Sequence, residues 1–287
     1  MSGGAGLPDG AWLNPCLADG EPFAVDTVVL DVDGVLVDVR ESFREAVRET
    51  VVEMQRSLGM RTPWCPSHED VAVFKRAGGF NDDVDLSIAL TAIGAGRRGA
   101  DAAAVAAECE RAGGGLAALR FVAPDLPRIA GREVLRIFDE LYWGGMVERE
   151  RAMVPPDFVE KLRECGVRAV ALVTGRTPRE LAAALQRLQW RSDMLCDGVT
   201  GDMVRKPDPA CLDAIAQACK PRSMVYVGDV RDDWELVRRW REERPDGVPV
   251  RGVLVGDDAE MERYQPLGVD ATVRHTGDVL SLLARWR

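Results

Sequence analysis

The apolar positions follow two rhythms, and the chain switches between them near residues 40 and 150. Thr27-Val28-Val29-Leu30 is an uncharged run of β-branched and aliphatic residues, the pattern of a strand buried on both faces, and it ends in Asp31-Val32-Asp33-Gly34. From Glu41 to Leu58 the period is helical: Phe43, Val47, Val51, Met54 and Leu58 recur at three and four residues until Gly59. Pro63 and Pro66 make residues 61–66 a loop. Ser67 then offers an N-cap, with Glu69 and Asp70 in the first turn of a helix reaching about Arg76. Gly78-Gly79 breaks that helix, and Asn81 or Asp82 caps the next, which runs through Leu86, Ile88, Leu90 and Ile93 to Gly94. Gly99 to Arg120 is alanine-rich and helical, weakened at Gly113-Gly114-Gly115, and a further helix spans Arg132 to Trp143. No strand is expected between Glu41 and Trp143.

After Pro155-Pro156 strands alternate with helices. Helices are expected at Asp157 to Glu164, Pro178 to Trp190, Asp208 to Cys219 and Asp233 to Arg241, with a last one at the C-terminus. Strands are expected at Val167 to Thr174, Met224 to Gly228, Val250 to Val255 and Asp270 to Val273. Such alternation implies a parallel sheet covered on both faces, and the run at Thr27 belongs with it. The fold class is therefore α/β, a Rossmann-like doubly wound parallel sheet carrying an inserted all-helical unit. The expected division is a flexible arm over 1–21, a core over 22–39 and 150–287, and a helical cap over 40–149.

Composition narrows the partners. A net charge of -10 over 287 residues argues against nucleic acid, and no apolar run approaches the length of a membrane helix. The first residues lack the basic start and apolar core of a signal peptide. Cys16, Cys65, Cys109, Cys165, Cys196, Cys211 and Cys219 are scattered, without a Cys-x-x-Cys pair, and only two histidines accompany them. Reduced thiols, a cytoplasmic location and neither a disulfide framework nor a zinc site are the expectation.

Asp31 and Asp33 stand one residue apart at the carboxyl end of a strand, where open α/β sheets bind ligands. Residues i and i+2 of an extended chain share a face, and two carboxylates so close repel unless a cation or proton lies between them. Asp-x-Asp-Gly also occurs in turns and calcium loops. The apolar run before it, with no Glu at the calcium-loop position, favours magnesium. Three further strand ends carry polar groups: Thr174-Gly175-Arg176, Lys206-Pro207, and Gly228-Asp229 followed by Asp232-Asp233. Singly each is an ordinary turn or cap; only their order is informative. Lysine is scarce, at positions 75, 161, 206 and 220 alone.

In that order the four motifs resemble those of the haloacid dehalogenase superfamily, and an insert between the first and second is similar to its helical cap of the first type. The resemblance implies an aspartyl-phosphate phosphohydrolase. Asp31 would be the nucleophile and Asp33 the general acid and base. Thr174 and Lys206 would hold phosphoryl oxygens, with Gly175 and Arg176 on the substrate. Mg²⁺ would be bound by Asp31, the Asp33 carbonyl and Asp229, with Asp232 or Asp233 supporting it. The substrate would be a small phosphorylated metabolite such as a sugar phosphate, and the protein a monomer or homodimer. A phosphomutase and a non-catalytic binding protein are the alternatives. Asp33 disfavours carbon-halogen hydrolysis, which needs no acid for an alkoxide. Lys75 as an imine-forming lysine is disfavoured against a solvated one.

Phe74-Lys75-Arg76-Ala77-Gly78-Gly79-Phe80-Asn81-Asp82-Asp83 resembles a stretch carried by a small clade of these capped phosphatases. Two readings stand side by side. It is a flexible loop that lowers Lys75, Arg76 or Asn81 onto the leaving group, or a helix break followed by an N-cap.

Overall fold

A computed structural model describes residues 7–18, 23–97 and 99–287. Contacts divide the chain into two compact units, residues 1–38 with 151–287, and residues 39–150.

In the first unit the strands are, in chain order, β1 (Trp12–Leu13), β2 (Thr27–Leu30), β3 (Val37–Asp38), β4 (Arg151–Ala152), β5 (Ala169–Val173), β6 (Asp197–Val199), β7 (Met224–Gly228), β8 (Val250–Val255) and β9 (Ala271–Val273). Seven form one sheet in the order β1-β9-β8-β7-β2-β5-β6, parallel except for β1. β2 is central, with Leu30 in register with Leu172 of β5 and Val227 of β7. All four of its residues are buried, which explains an uninterrupted apolar run instead of an alternating one. One face packs Val29, Ala171 and Tyr226 against Leu212, Ile215, Leu236 and Val237 from the flanking helices Ala210–Cys219 and Arg231–Glu243.

The other two strands, β3 and β4, pair antiparallel as a two-stranded ribbon, Val37 with Ala152 and Asp38 with Arg151. The chain leaves the first unit along β3 and re-enters along β4. Residues 39–150 are helical: Phe43–Ser57, His68–Arg76, Asp83–Ala95, Ala102–Arg111, Gly115–Val122 and Gly131–Trp143, with short 3₁₀ turns. Met54, Val134 and Ile137 share a core with Val84, Ile88, Ile129 and Leu141. Phe43 stacks on Tyr142 with ring centroids 4.3 Å apart.

Three sequence expectations are corrected. The N-terminal segment is not all loose, because Trp12 and Leu13 pair with Thr272 and Ala271 at the sheet edge; residues 1–6 and 19–21 of the expected arm lie outside the described residues. β6 is a strand that composition hid: Asp197-Gly198 is poor strand sequence, and pairing with Ala171 and Leu172 makes it one. Cys196 and Cys219 form a disulfide, with Cα atoms 5.9 Å apart, where reduced thiols were expected. The fold brings the start of β6 beside the end of the Ala210–Cys219 helix, a proximity that a 23-residue spacing does not announce.

Candidate active site

Each chemistry-bearing residue of the first unit follows the carboxyl end of a parallel strand, for a local reason. β2 stops at Leu30, and the Asp31 N–H still donates to Val227 at 2.8 Å, so the carboxylate leaves the sheet at a fixed position. The next turn closes through Leu36 and Val37 N–H groups on the Val32 carbonyl. Gly34 takes φ +72, and a Cβ there would stand 2.0 Å from Asp229 Oδ2. Only glycine lets this turn approach that carboxylate.

Asp31 is 3 % exposed. Its Oδ1 accepts the Val32 N–H at 2.7 Å, and its Oδ2 lies 2.7 Å from Lys206 Nζ. The same ammonium donates to Asp233 Oδ1 at 2.7 Å. Asp233, wholly buried, also accepts from the Tyr226 hydroxyl at 2.7 Å and from the Asp229 and Val230 N–H groups at 3.0 and 3.1 Å. Carboxylate oxygens of Asp31, Asp229 and Asp233 lie within 4.8 Å of one another.

Burial pushes the Asp31 carboxyl up to about 7; Lys206 pulls against this, while Asp233 and Asp33 add to it. Burial alone would lower the Lys206 ammonium, but Asp233 and Asp31 outweigh it and hold the ammonium above its usual range. The Tyr226 hydroxyl is raised well above normal by burial first and by Asp233 and Asp31 next. It stays a donor at any working pH.

This donor set suits a magnesium ion. Hard carboxylate oxygens converge, glycine at 34 keeps space beside Asp229, and burial disfavours an uncompensated Asp31 anion. Asp31 and Asp229 are the carboxylates that would hold the cation. Asp233, whose two oxygens each accept two hydrogen bonds, would orient them. Between the two acids that sequence left open, it is Asp233, not Asp232, that joins the cluster.

The Asp33 carboxylate turns elsewhere: its Oδ1 accepts from Arg176 Nε at 2.8 Å. Arg176 is buried, and its Nη1 also donates to the Glu180 carbonyl at 3.1 Å. Thr174 Oγ1 accepts the Arg176 N–H at 3.2 Å. Gly175 is exposed, and its carbonyl would clash at 2.3 Å with any Cβ on Gly201. Thus the 174–176 and 200–206 loops are held backbone to backbone.

In the second unit, Lys75 Nζ lies 3.0 Å from Asp83, and Arg76 pairs with Glu69. Asn81 is half-buried. Asp82 is the N-cap, accepting from Val84 and Asp85 N–H groups at 2.9 and 3.2 Å, and Phe80 is buried against Phe74. The Gly115 N–H donates to the Gly78 carbonyl at 3.0 Å, and a Cβ on Gly114 would meet that oxygen at 2.1 Å. The 74–83 stretch is thus a helix break locked onto a second glycine turn and followed by an N-cap.

Sequence reasoning missed Tyr226, Glu180 and Tyr264, whose hydroxyl donates to the Asp229 carbonyl at 2.7 Å. Tyr226 had a faint signal, as the one polar group within an otherwise apolar strand run. Tyr264 lies 35 residues from its partner and had none.

The family model of haloacid dehalogenase-like hydrolases matches residues 25–235. Phosphatase Tt82 from Thermococcus thioreducens is 25% identical, with TM-score 0.64 over 90% of this chain and 98% of that one. CbbY from Rhodobacter sphaeroides, solved with phosphate, is 16% identical with TM-score 0.56, covering 89% and 96%, a likeness of fold. A protein named imidazoleglycerol-phosphate dehydratase from Phytophthora nicotianae is 27% identical over 217 residues; the match takes in 73% of this chain but only 40% of that protein's length. With the family model spanning β2, β5, β6 and β7 of the sheet, the helical insert and all four motifs, the chain belongs to the haloacid dehalogenase-like hydrolases.

Proposed function

We propose that the protein is a Mg²⁺-dependent phosphomonoesterase of small phosphorylated metabolites, sugar phosphates among them, working through an aspartyl phosphate on Asp31. The observation that carries this reading is the Asp31 carboxylate itself, buried and fixed between the Val32 N–H and Lys206. A carboxylate held that firmly spends no freedom in reaching an in-line attack on phosphorus. Lys206 would offset the charge of both the nucleophile and the incoming phosphoryl oxygens, and Thr174 Oγ1 would donate to one of those oxygens. Bound Mg²⁺, held by Asp31, Asp229 and the Asp33 carbonyl, would supply charge neutralisation between carboxylate and phosphate. Asp33 would protonate the leaving alkoxide, then take the proton of the water that hydrolyses the intermediate.

Residues 39–150 would act as the cap that chooses the leaving group. Asn81 is its best candidate contact, since Lys75 and Arg76 are held by Asp83 and Glu69. A cytoplasmic monomer or homodimer remains the working expectation.

The test is phosphate release from a panel of phosphorylated metabolites, with and without Mg²⁺, using Asp31→Asn as control. The panel should include imidazole-bearing phosphate esters, prompted by the partial match to the dehydratase. Magnesium-dependent release lost in Asp31→Asn is the expected result. Isomerisation of a hexose 1-phosphate without free phosphate would replace the reading with a mutase. No turnover of any ester would leave a binding protein.

A further inference from the structure

We propose that Arg176 is the positioning residue for the proton-transfer step, serving the reaction through Asp33 and not by binding the phosphoryl group. This rests on the phosphomonoesterase reading above. The guanidinium is committed at two edges, with Nε on Asp33 Oδ1 at 2.8 Å and Nη1 on the Glu180 carbonyl at 3.1 Å. Exposure is asymmetric across the pair: the Arg176 side chain is 1% exposed and that of Asp33 28%. A substrate entering the site therefore meets the carboxylate, with the guanidinium behind it.

The root of the side chain is equally fixed. Its N–H donates to Thr174 Oγ1 at 3.2 Å, and its carbonyl accepts from the Gly201 N–H at 3.0 Å. The helix that follows is closed by a reciprocal cap, the Thr177 N–H on Glu180 Oε2 at 2.7 Å and the Thr177 hydroxyl accepting from the Glu180 N–H. Glu180 thus serves twice, its side chain capping the helix and its carbonyl aiming Arg176. A long side chain anchored at both ends loses little freedom in holding its partner. Asp33 sits on a short turn after β2, and Arg176 fixes which way the carboxyl faces.

The chemistry supplies a readout that neither phosphate binding nor simple packing would give. As the bond between phosphorus and the ester oxygen breaks, an alkyl oxygen needs the Asp33 proton to leave as an alcohol. p-Nitrophenolate leaves as a stable anion and needs none. Losing the positioning of Asp33 therefore harms alkyl esters selectively, whereas losing a phosphate ligand harms both alike.

The experiment measures kcat/KM of wild type, Arg176→Lys and Arg176→Gln on ethyl, phenyl and p-nitrophenyl phosphate with saturating Mg²⁺. Arg176→Gln should fall about 100-fold on ethyl phosphate and less than tenfold on p-nitrophenyl phosphate, with Arg176→Lys between it and wild type. In an Asp33→Asn background, Arg176→Gln should change nothing further on ethyl phosphate. Equal losses across the three esters, or additive losses with Asp33→Asn, overturn the proposal. If Arg176→Gln fails to fold, Arg176→Lys decides through the same ester dependence. A wild type that hydrolyses none of the esters sinks the phosphomonoesterase reading instead, and the premise of this one with it.

Discussion

Asp31 sets the behaviour of the proposed site because one carboxyl would carry opposing demands: as the nucleophile it would have to be an anion, yet burial pushes it up to about 7. The folded state of the metal-free protein holds this proton more tightly than the unfolded chain does. Its contribution to stability is present below the ordinary carboxylate value and is lost as pH rises through about 7. Wild type without Mg²⁺ should therefore lose thermal stability relative to Asp31→Asn between pH 4 and 8, followed by calorimetry. On the proposed function Mg²⁺ would bind the ionised form, so its affinity should weaken by up to tenfold per pH unit below about 7, measured by titration calorimetry. Asp31→Asn should lower turnover about 10⁴-fold or more while remaining folded.

Lys206 is the second residue on which the site turns. Its side chain is 2% exposed between Asp31 and Asp233, and removing it leaves two buried carboxylates facing each other. Lys206→Met should cost about 3–5 kcal/mol of stability in the metal-free protein, read by urea unfolding, as well as turnover. At this scale the sequence was largely readable. Asp31, Asp33, Lys206 and Asp229 stand beside turn or proline signals at strand ends. Tyr226 and Arg176 were harder, because whether a hydroxyl or guanidinium faces substrate or another side chain depends on what folding brings opposite it.

Elements are held by a few backbone-level devices that can be tested singly. Gly114 at φ +77 faces the Gly78 carbonyl with no room for a side chain. Gly114→Ala should destabilise the helical unit by about 2–4 kcal/mol, from backbone strain plus overpacking, seen as a lower urea midpoint. The Cys196–Cys219 disulfide closes a 23-residue span between β6 and the helix that follows Lys206. Restricting the unfolded chain over such a loop contributes roughly 3 kcal/mol. Reduction, or Cys196→Ser with Cys219→Ser, should lower the unfolding temperature with little effect on kcat, checked by melting with and without reductant. Helix starts were legible where a cap was read from local sequence: Ser67 with Asp70 and Asp82 both cap their helices, and the structure adds Thr177 with Glu180. β6 and β1 were not, since both are made strands by their partners.

Across the whole molecule, Asp31, Asp33, Thr174, Arg176, Lys206, Asp229 and Asp233 all belong to the unit formed by residues 1–38 and 151–287. The helical unit leaves and rejoins it where Asp38 pairs with Arg151, so a tight Asn-Gly turn can replace residues 39–150 and close β3 onto β4 as a hairpin. Such a deletion should fold, bind Mg²⁺ and hydrolyse p-nitrophenyl phosphate, while losing discrimination among natural esters; circular dichroism, metal titration and the ester panel check each part.

By itself the sequence determined the alternation of buried strands and helices, the all-helical insert and the four strand-end motifs. Those properties are written in short-range patterns: side-chain period, caps, prolines and glycines. Only the tertiary structure decided that Asp233 and not Asp232 meets Lys206, that Arg176 backs Asp33, and that Cys196 reaches Cys219. These are pairings across tens to more than a hundred residues. The physical reason they could not be read is that the order of strands in the sheet, not distance along the chain, sets which polar groups become neighbours.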